Sequence, residues 1–229
     1  MARPSQPIIA VVFDVDGTLI SSGGAGAASW RLAFDELYGI PADIGQYTDA
    51  GMTEPEVASL TFRKVIGRDP TRQELSRLMS TRLRFLPDAV AESQNFMVLP
   101  GVRATLDRLH RDGYLMGIST GGVEAAAHIK LARAKLNHYF AFGGYGSDSS
   151  DRTELTRCAL KRAGVLLGVP LDPREALVVG DTPHDVDAAH GAGAIAVGVA
   201  TGHYGVEELE DAGAEHALRS LEEPLPLAG

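Results

Sequence analysis

Cysteine occurs once in the 229 residues, at Cys158, so the chain can form no internal disulfide and no multi-cysteine metal site. That thiol reads as a small apolar helix residue in a reducing cytoplasm. No stretch approaches the roughly 20 consecutive apolar residues that a membrane-spanning helix needs. The opening MARPSQP has one Arg and no apolar run, which reads as neither a signal nor a transit peptide. Positive charge is also short: 21 Lys and Arg against 30 Asp and Glu leave a formal charge of −9. Such a field repels polyanions, which argues against nucleic acid or an anionic membrane as a partner, and a phosphorylated ligand would need local positive charge. Repeats, low-complexity tracts and blocks of like charge are missing too.

What is present is a recurring strand pattern. Ile8 to Phe13 is a continuous β-branched apolar run ending in acidic residues and glycine, as expected of a buried parallel strand. Tyr114 to Ser119, Ala176 to Val179 and Ala194 to Val199 repeat it, each followed by Gly, Thr or Asp and then a helical stretch. Helical stripes precede two of them, Val102, Leu106 and Leu109 before the second and Leu155, Ala159, Ala163 and Leu166 before the third. This alternation predicts an α/β fold with a doubly wound parallel sheet. Residues 21–99 break the rhythm with helical periodicity (Trp30, Leu32, Phe34, Leu37; Leu75, Leu78, Leu83, Phe85) and glycine-rich or Pro-Gly joints. The expected organisation is a core of residues 1–20 and 100–229 with a helical cap inserted at 21–99.

In open parallel sheets ligands bind at the carboxyl ends of the strands, and those ends carry Asp14, Asp16, Thr120 and Asp181. Asp14-Val15-Asp16-Gly17-Thr18 leaves the first strand with two carboxylates two residues apart. One can attack a phosphoryl group while the other protonates the leaving oxygen, and the Gly17-Thr18 turn can offer backbone N–H groups to phosphate. Gly180-Asp181-Thr182-Pro183-His184-Asp185 ends the third strand. Asp181 and Asp185 there are hard oxygen donors suited to Mg²⁺, which keeps several waters and binds phosphate. His184 stands alone in its loop without a His or Cys partner, and no role is assigned to it.

In this order of motifs the chain resembles the haloacid dehalogenase (HAD) superfamily of phosphatases along essentially its whole length. The resemblance implies a Rossmann-like core, Asp14 as nucleophile and metal ligand, and Asp16 as acid/base that binds metal through its main-chain carbonyl. It further implies Thr120 and the adjacent Gly121 at the phosphate, Asp181 completing the Mg²⁺ site, and Asp185 close by or acting through water. The inserted cap looks like that of the subgroup containing phosphoglycolate phosphatases and β-phosphoglucomutase. Gly51-Met52-Thr53-Glu54 looks like a cap segment of several members, which puts Thr53 among the substrate-binding residues.

Two positions depart from the family pattern. Thr120 is followed by Gly121-Gly122 where Thr-Asn or Thr-Gly-Asn is common, and no Lys-Pro pair supplies the usual cation. Arg152, in Ser-Asp-Arg-Thr at the start of a helix, and Lys130, within the helix after Thr120, are the two contestants for it, with Arg152 preferred for its bidentate reach. The expected activity is hydrolysis of a small phosphorylated metabolite through an aspartyl-phosphate on Asp14, by a cytoplasmic monomer or homodimer. A phosphomutase of the β-phosphoglucomutase type shares the core residues. A receiver-like phospho-acceptor is the non-enzymatic alternative, although it is about half this length and does not carry its acid pair and phosphorylated Asp on one strand end.

Overall fold

The computed structural model describes residues 8–227, so the opening segment read for targeting signals lies outside them. In chain order the elements begin with β1 (Ala10–Phe13), β2 (Ile20–Ser21), α1 (Ala25–Tyr38), α2 (Glu54–Ile66), α3 (Arg72–Glu92) and β3 (Met97–Val98). They continue with α4 (Val102–Arg111), β4 (Leu115–Thr120), α5 (Glu124–Ala134), β5 (Phe142–Tyr145) and α6 (Arg152–Leu167). The chain closes with β6 (Ala176–Gly180), α7 (Pro183–Ala192), β7 (Ile195–Val199), α8 (Val206–Asp211) and β8 (His216–Leu218). Six strands form one parallel sheet in the order β5-β4-β1-β6-β7-β8. The α/β doubly wound architecture read from the sequence is therefore the one observed.

The period-2 alternation of a strand buried on both faces is visible in β1. Val11 and Phe13 join Ile118, Val179 and the α4 and α5 residues Leu106, Leu109 and Leu131 on one face. Ala10 and Val12 join Val178, Ala159 and Ala163 of α6 and Val186 and Ala189 of α7 on the other. After β1 the chain builds outward to β4 and β5, then returns to β6 on the opposite side. The strand order thus reverses beside β1, and a crevice opens there at the carboxyl ends.

Helices α1 to α3 carry an apolar cluster of their own, with Trp30, Phe34, Val57, Phe62 and Leu78 buried in it. A second cluster sets Ala25, Leu86 and Val90 against Val123 and Ala126 of the α5 region. The chain leaves and re-enters the sheet region through adjacent segments, since β2 and β3 pair antiparallel, Ile20 opposite Val98. Not every position of the predicted stripes is covered. Leu32 is exposed, and so are Leu166 and its neighbours Val165 and Leu167 on the last turn of α6. No helix among the described residues is long and apolar enough to cross a membrane.

Strand β5 reads Phe-Gly-Gly-Tyr, a composition that weakens strand propensity. The glycines are required by packing: a Cβ on Gly144 would lie 1.8 Å from the Leu155 carbonyl oxygen of α6. Gly144→Ala should therefore force α6 off the sheet and cost about 3 kcal/mol. A urea midpoint equal to that of the wild type would show that α6 does not press on β5.

Candidate active site

Asp14 is the first residue beyond β1, and its backbone N–H donates to the Val179 carbonyl at 2.9 Å, which ties the strand end to β6. The chain then turns tightly. Gly17 adopts a φ of 89° in the left-handed region, and its N–H donates to the Ile20 carbonyl at 2.8 Å. Thr18, next in the turn, is buried and its hydroxyl donates to Asp181 Oδ1 at 3.1 Å. The turn is clasped from the other side by the Thr201 hydroxyl, which donates to the Gly17 carbonyl at 2.6 Å.

Asp181 follows β6 as Asp14 follows β1, and the Thr182-Pro183 step starts α7. Asp185 sits in the first turn of that helix, where its Oδ2 accepts from the Thr182 N–H at 3.1 Å and the Thr182 hydroxyl at 2.7 Å. The carboxylates of Asp14, Asp181 and Asp185 are all buried and each offers an oxygen within 4.8 Å of the others. Backbone closes around Asp181: a Cβ on Gly17 would lie 2.2 Å from Asp181 Oδ2, and one on Gly202 1.8 Å from it. Both positions exclude any side chain, and the three acids form a donor set that suits a hard divalent cation.

The positive charge comes from two helices. Asp151 caps α6 through the Thr153 and Glu154 N–H groups, which makes Arg152 the first helical residue. Its guanidinium pairs with Asp185 and reaches to 3.5 Å from Asp14 Oδ1, while its Nε is buried with no hydrogen-bond partner among the described residues. Lys130 is buried as well, and its Nζ pairs with Asp16 Oδ2. The two contestants for the cation therefore serve different carboxylates. Thr120 ends β4, and its hydroxyl accepts from the Gly122 N–H at 3.3 Å.

These groups meet in a cavity of about 420 Å³ whose wall includes Asp14, Asp16, Gly17, Thr120, Gly121, Arg152 and Asp181. Thr18, Asp185 and Lys130 stand behind that wall. So does Thr53, which is fully buried at the start of α2, its hydroxyl and N–H both donating to Glu56 Oε2 at 2.7 and 3.0 Å. The neighbouring Glu54 reaches the cavity instead. Its carboxylate pairs with Arg82 at 2.7 Å and accepts from the Val123 N–H at 3.1 Å, and its own N–H donates to the Gly121 carbonyl at 2.8 Å. Sequence reasoning named Glu54 within the Gly51 to Glu54 segment but gave the substrate role to Thr53, and it passed over Arg82, since an acid in a first helical turn is common for dipole reasons. The available signal was Arg82 lying between Leu78 and Leu86 at helical spacing, on a buried stripe where a cation requires a partner. The Thr201-Gly202-His203 loop after β7 also lines the cavity and was not anticipated. His184 packs under the insertion, where a Cβ on Gly51 would be 2.8 Å from its Cδ2.

A family model described as haloacid dehalogenase-like hydrolase matches residues 8–193. A phosphoglycolate phosphatase of Pseudomonas putida is 31% identical over 194 residues, covering 84% of this chain and 70% of that protein. A phosphoglycolate phosphatase of Salmonella paratyphi A is 28% identical over 242 residues, 98% of this chain and 94% of its own. Among solved structures, a hydrolase from Pseudomonas syringae superposes with a TM-score of 0.69 at 27% identity, covering 95% of each chain.

Electrostatics at the strand ends make a prediction that does not depend on turnover. Burial, and then the charge of Asp14, push the Asp181 carboxyl up to about 7. Asp14 is raised as well, by burial first, with Arg152 opposing and Asp16 adding. A carboxyl raised on folding binds more protons in the native state than in the unfolded one, so its contribution to stability falls as pH climbs from about 4 to 7. In EDTA, Asp181→Asn should overtake the wild type as pH rises from 5 to 8, by about 2 kcal/mol or ~5 °C in Tm. Divalent metal should restore the wild type and leave the variant unmoved. Parallel pH profiles for the two proteins would rule out a strained carboxylate pair.

Proposed function

The chain belongs to the haloacid dehalogenase-like hydrolases, and from that premise we propose that it is a Mg²⁺-dependent phosphatase acting on small phosphorylated metabolites in a reducing cytoplasm. The observation that carries the reading is the meeting of Asp14, Asp181, Thr120 and Arg152, from four separate strand or helix ends, on one cavity wall. Relatives named phosphoglycolate phosphatase support phosphoryl esters as the substrate class.

In this mechanism an Asp14 carboxylate oxygen attacks phosphorus and the bond from phosphorus to the leaving oxygen breaks. Asp16 gives its proton to that oxygen. A water molecule then attacks the aspartyl-phosphate and Asp16 takes up the water proton. The bond between phosphorus and the Asp14 oxygen breaks, releasing inorganic phosphate and restoring both carboxyl groups. Thr120, the Gly121 N–H and the Arg152 guanidinium, all on the cavity wall, orient the phosphoryl oxygens. Asp14, Asp181 and the Asp16 main-chain carbonyl would hold Mg²⁺, with Asp185 alongside, and the ion would supply positive charge where nucleophile and phosphate repel each other. Lys130 fixes the Asp16 side chain by pairing with it. Helices α1 to α3, contributed by residues 21–99, act as the cap that closes over this chemistry and selects the leaving group.

Asp14→Asn should lose about a thousandfold or more in turnover with the fold intact, because an amide is not a competent nucleophile. Retention of over a tenth of the activity on p-nitrophenyl phosphate would sink the covalent route. Asp16→Asn should accumulate phosphoryl mass on the peptide containing Asp14 in acid-quenched mass spectrometry, since a good leaving group departs without the acid. EDTA should remove activity and Mg²⁺ return it; full turnover after exhaustive chelation would take the metal out of the mechanism.

The two cations should separate by leaving group. Arg152→Ala should lower kcat/KM about a hundredfold or more on every substrate, because the guanidinium stands at Asp14 and the phosphoryl site. Lys130→Ala acts through Asp16, so its loss should be small on p-nitrophenyl phosphate and larger on alkyl phosphates that need protonation. A Lys130 effect independent of the leaving group would detach it from Asp16.

A further inference from the structure

We infer that the leaving group of the substrate is a neutral or cationic small molecule bearing hydroxyl or ammonium donors, and that a carboxylate on it is disfavoured. This rests on the phosphatase reading and concerns the part of the cavity wall that the insertion contributes. That part is built from Ser21 and Ser22, where the chain leaves the core, and from Ala50, Met52 and Glu54, in the segment that leads into α2. Among the described residues, the insertion contributes no Lys, Arg or His to the cavity wall, and Glu54 is its one charged side chain there. His203, the other titratable side chain on the wall besides the catalytic groups, belongs to the core loop beside Gly202.

Glu54 is held so that a ligand meets its acid and not its counter-ion. Arg82 lies behind it, 1% exposed, bonded to Ser29 Oγ at 3.2 Å and stacked 5.2 Å from the Trp30 ring. Glu54 Oε2 accepts from Arg82 Nη1 at 2.9 Å and from the Val123 N–H, whereas Oε1 takes only Arg82 Nη2. An acceptor direction on Oε1 is left for a ligand. That atom stands 3.8 Å from where a Gly122 Cβ would be, next to the Thr120 end of the phosphate site. A substrate hydroxyl or ammonium there completes the carboxylate's hydrogen bonding, while a substrate carboxylate placed against Glu54 Oε1 meets like charge. The wall carries no aromatic ring besides His203, and Trp30, Phe34 and Phe62 are spent in the core of the insertion. The cavity thus offers no stacking platform for a nucleobase and suits a compact polar alcohol.

Three two-carbon esters that differ only at the far end test this: 2-hydroxyethyl phosphate, phosphoethanolamine and 2-phosphoglycolate, with p-nitrophenyl phosphate as reference, all with Mg²⁺. The expected result for the wild type is a kcat/KM at least tenfold higher on the hydroxyl or ammonium ester than on 2-phosphoglycolate. Whichever of the two leads identifies the donor. Glu54→Gln should bring the gap below about threefold; because it leaves Arg82 buried without its charge partner, Glu54→Gln with Arg82→Met provides the same removal without the orphaned cation. Equal rates across the series, or a preference for 2-phosphoglycolate, with p-nitrophenyl phosphate still hydrolysed, overturn the inference and leave the phosphatase reading standing. No turnover of any of the four overturns that reading itself. The wild-type series decides the matter even where neither variant folds.

Discussion

Mutual repulsion among Asp14, Asp181 and Asp185 is the constraint on which the rest of the site depends. Three buried carboxylates with oxygens within 4.8 Å of one another cannot all hold full charge without cations close by. Within the chain the answer is partial. Arg152 neutralises Asp185 and stands 3.5 Å from Asp14, but among the described residues Asp181 has only the Thr18 hydroxyl as a side-chain donor. Folding holds the acids together all the same, because each is fixed by backbone at a strand or helix end that the sheet core positions. The sheet's apolar burial sustains an arrangement that electrostatics alone would push apart, which is a common property of sites built to bind a cation.

The second dependence runs between the insertion and the core. Arg82 cannot remain buried without an acid, and the acid available is Glu54. Pairing them pins the start of α2 to α3 and, through Ser29 and Trp30, to α1. The same carboxylate takes the Val123 N–H at the start of α5, so one side chain links all three helices of the insertion to the loop that follows Thr120. The orientation of the insertion over the cavity and the charge it presents there are consequently set together.

Much of this was legible in the sequence, for reasons that differ by element. Buried parallel strands are written as β-branched runs, so β1, β4, β6 and β7 could be placed, and with them Asp14, Thr120 and Asp181. Strand β5 escaped because its fit to α6 demands glycine where propensity demands bulk, and β8 because three edge residues, one exposed and two half-buried, carry no periodic signal. Side-chain partnerships were the harder part. Helical spacing locates Lys130 on a helix but cannot say that its amine turns inward to Asp16. Likewise Thr53 and Glu54 are adjacent in the chain, and only the direction of the entering helix decides that the threonine caps it while the glutamate faces the cavity.

The glycine pair after Thr120 follows from the same geometry. A Cβ at Gly121 would lie 2.9 Å from both the Met52 carbonyl oxygen and the Arg152 guanidinium, and 3.0 Å from the Thr53 Cα. An asparagine at that position is therefore excluded by the close approach of the insertion's backbone, whose Glu54 N–H uses the Gly121 carbonyl as its acceptor. Gly122 has more room, and the nearest groups to its missing side chain are the Thr120 hydroxyl and Glu54 Oε1. The polar side chain nearest that position besides Thr120 is thus supplied from the insertion, as an acceptor-only carboxylate in place of an amide that both donates and accepts. The exchange leaves this part of the cavity wall without an amide donor, and it makes the departure in the core and the acid in the insertion two halves of one packing solution.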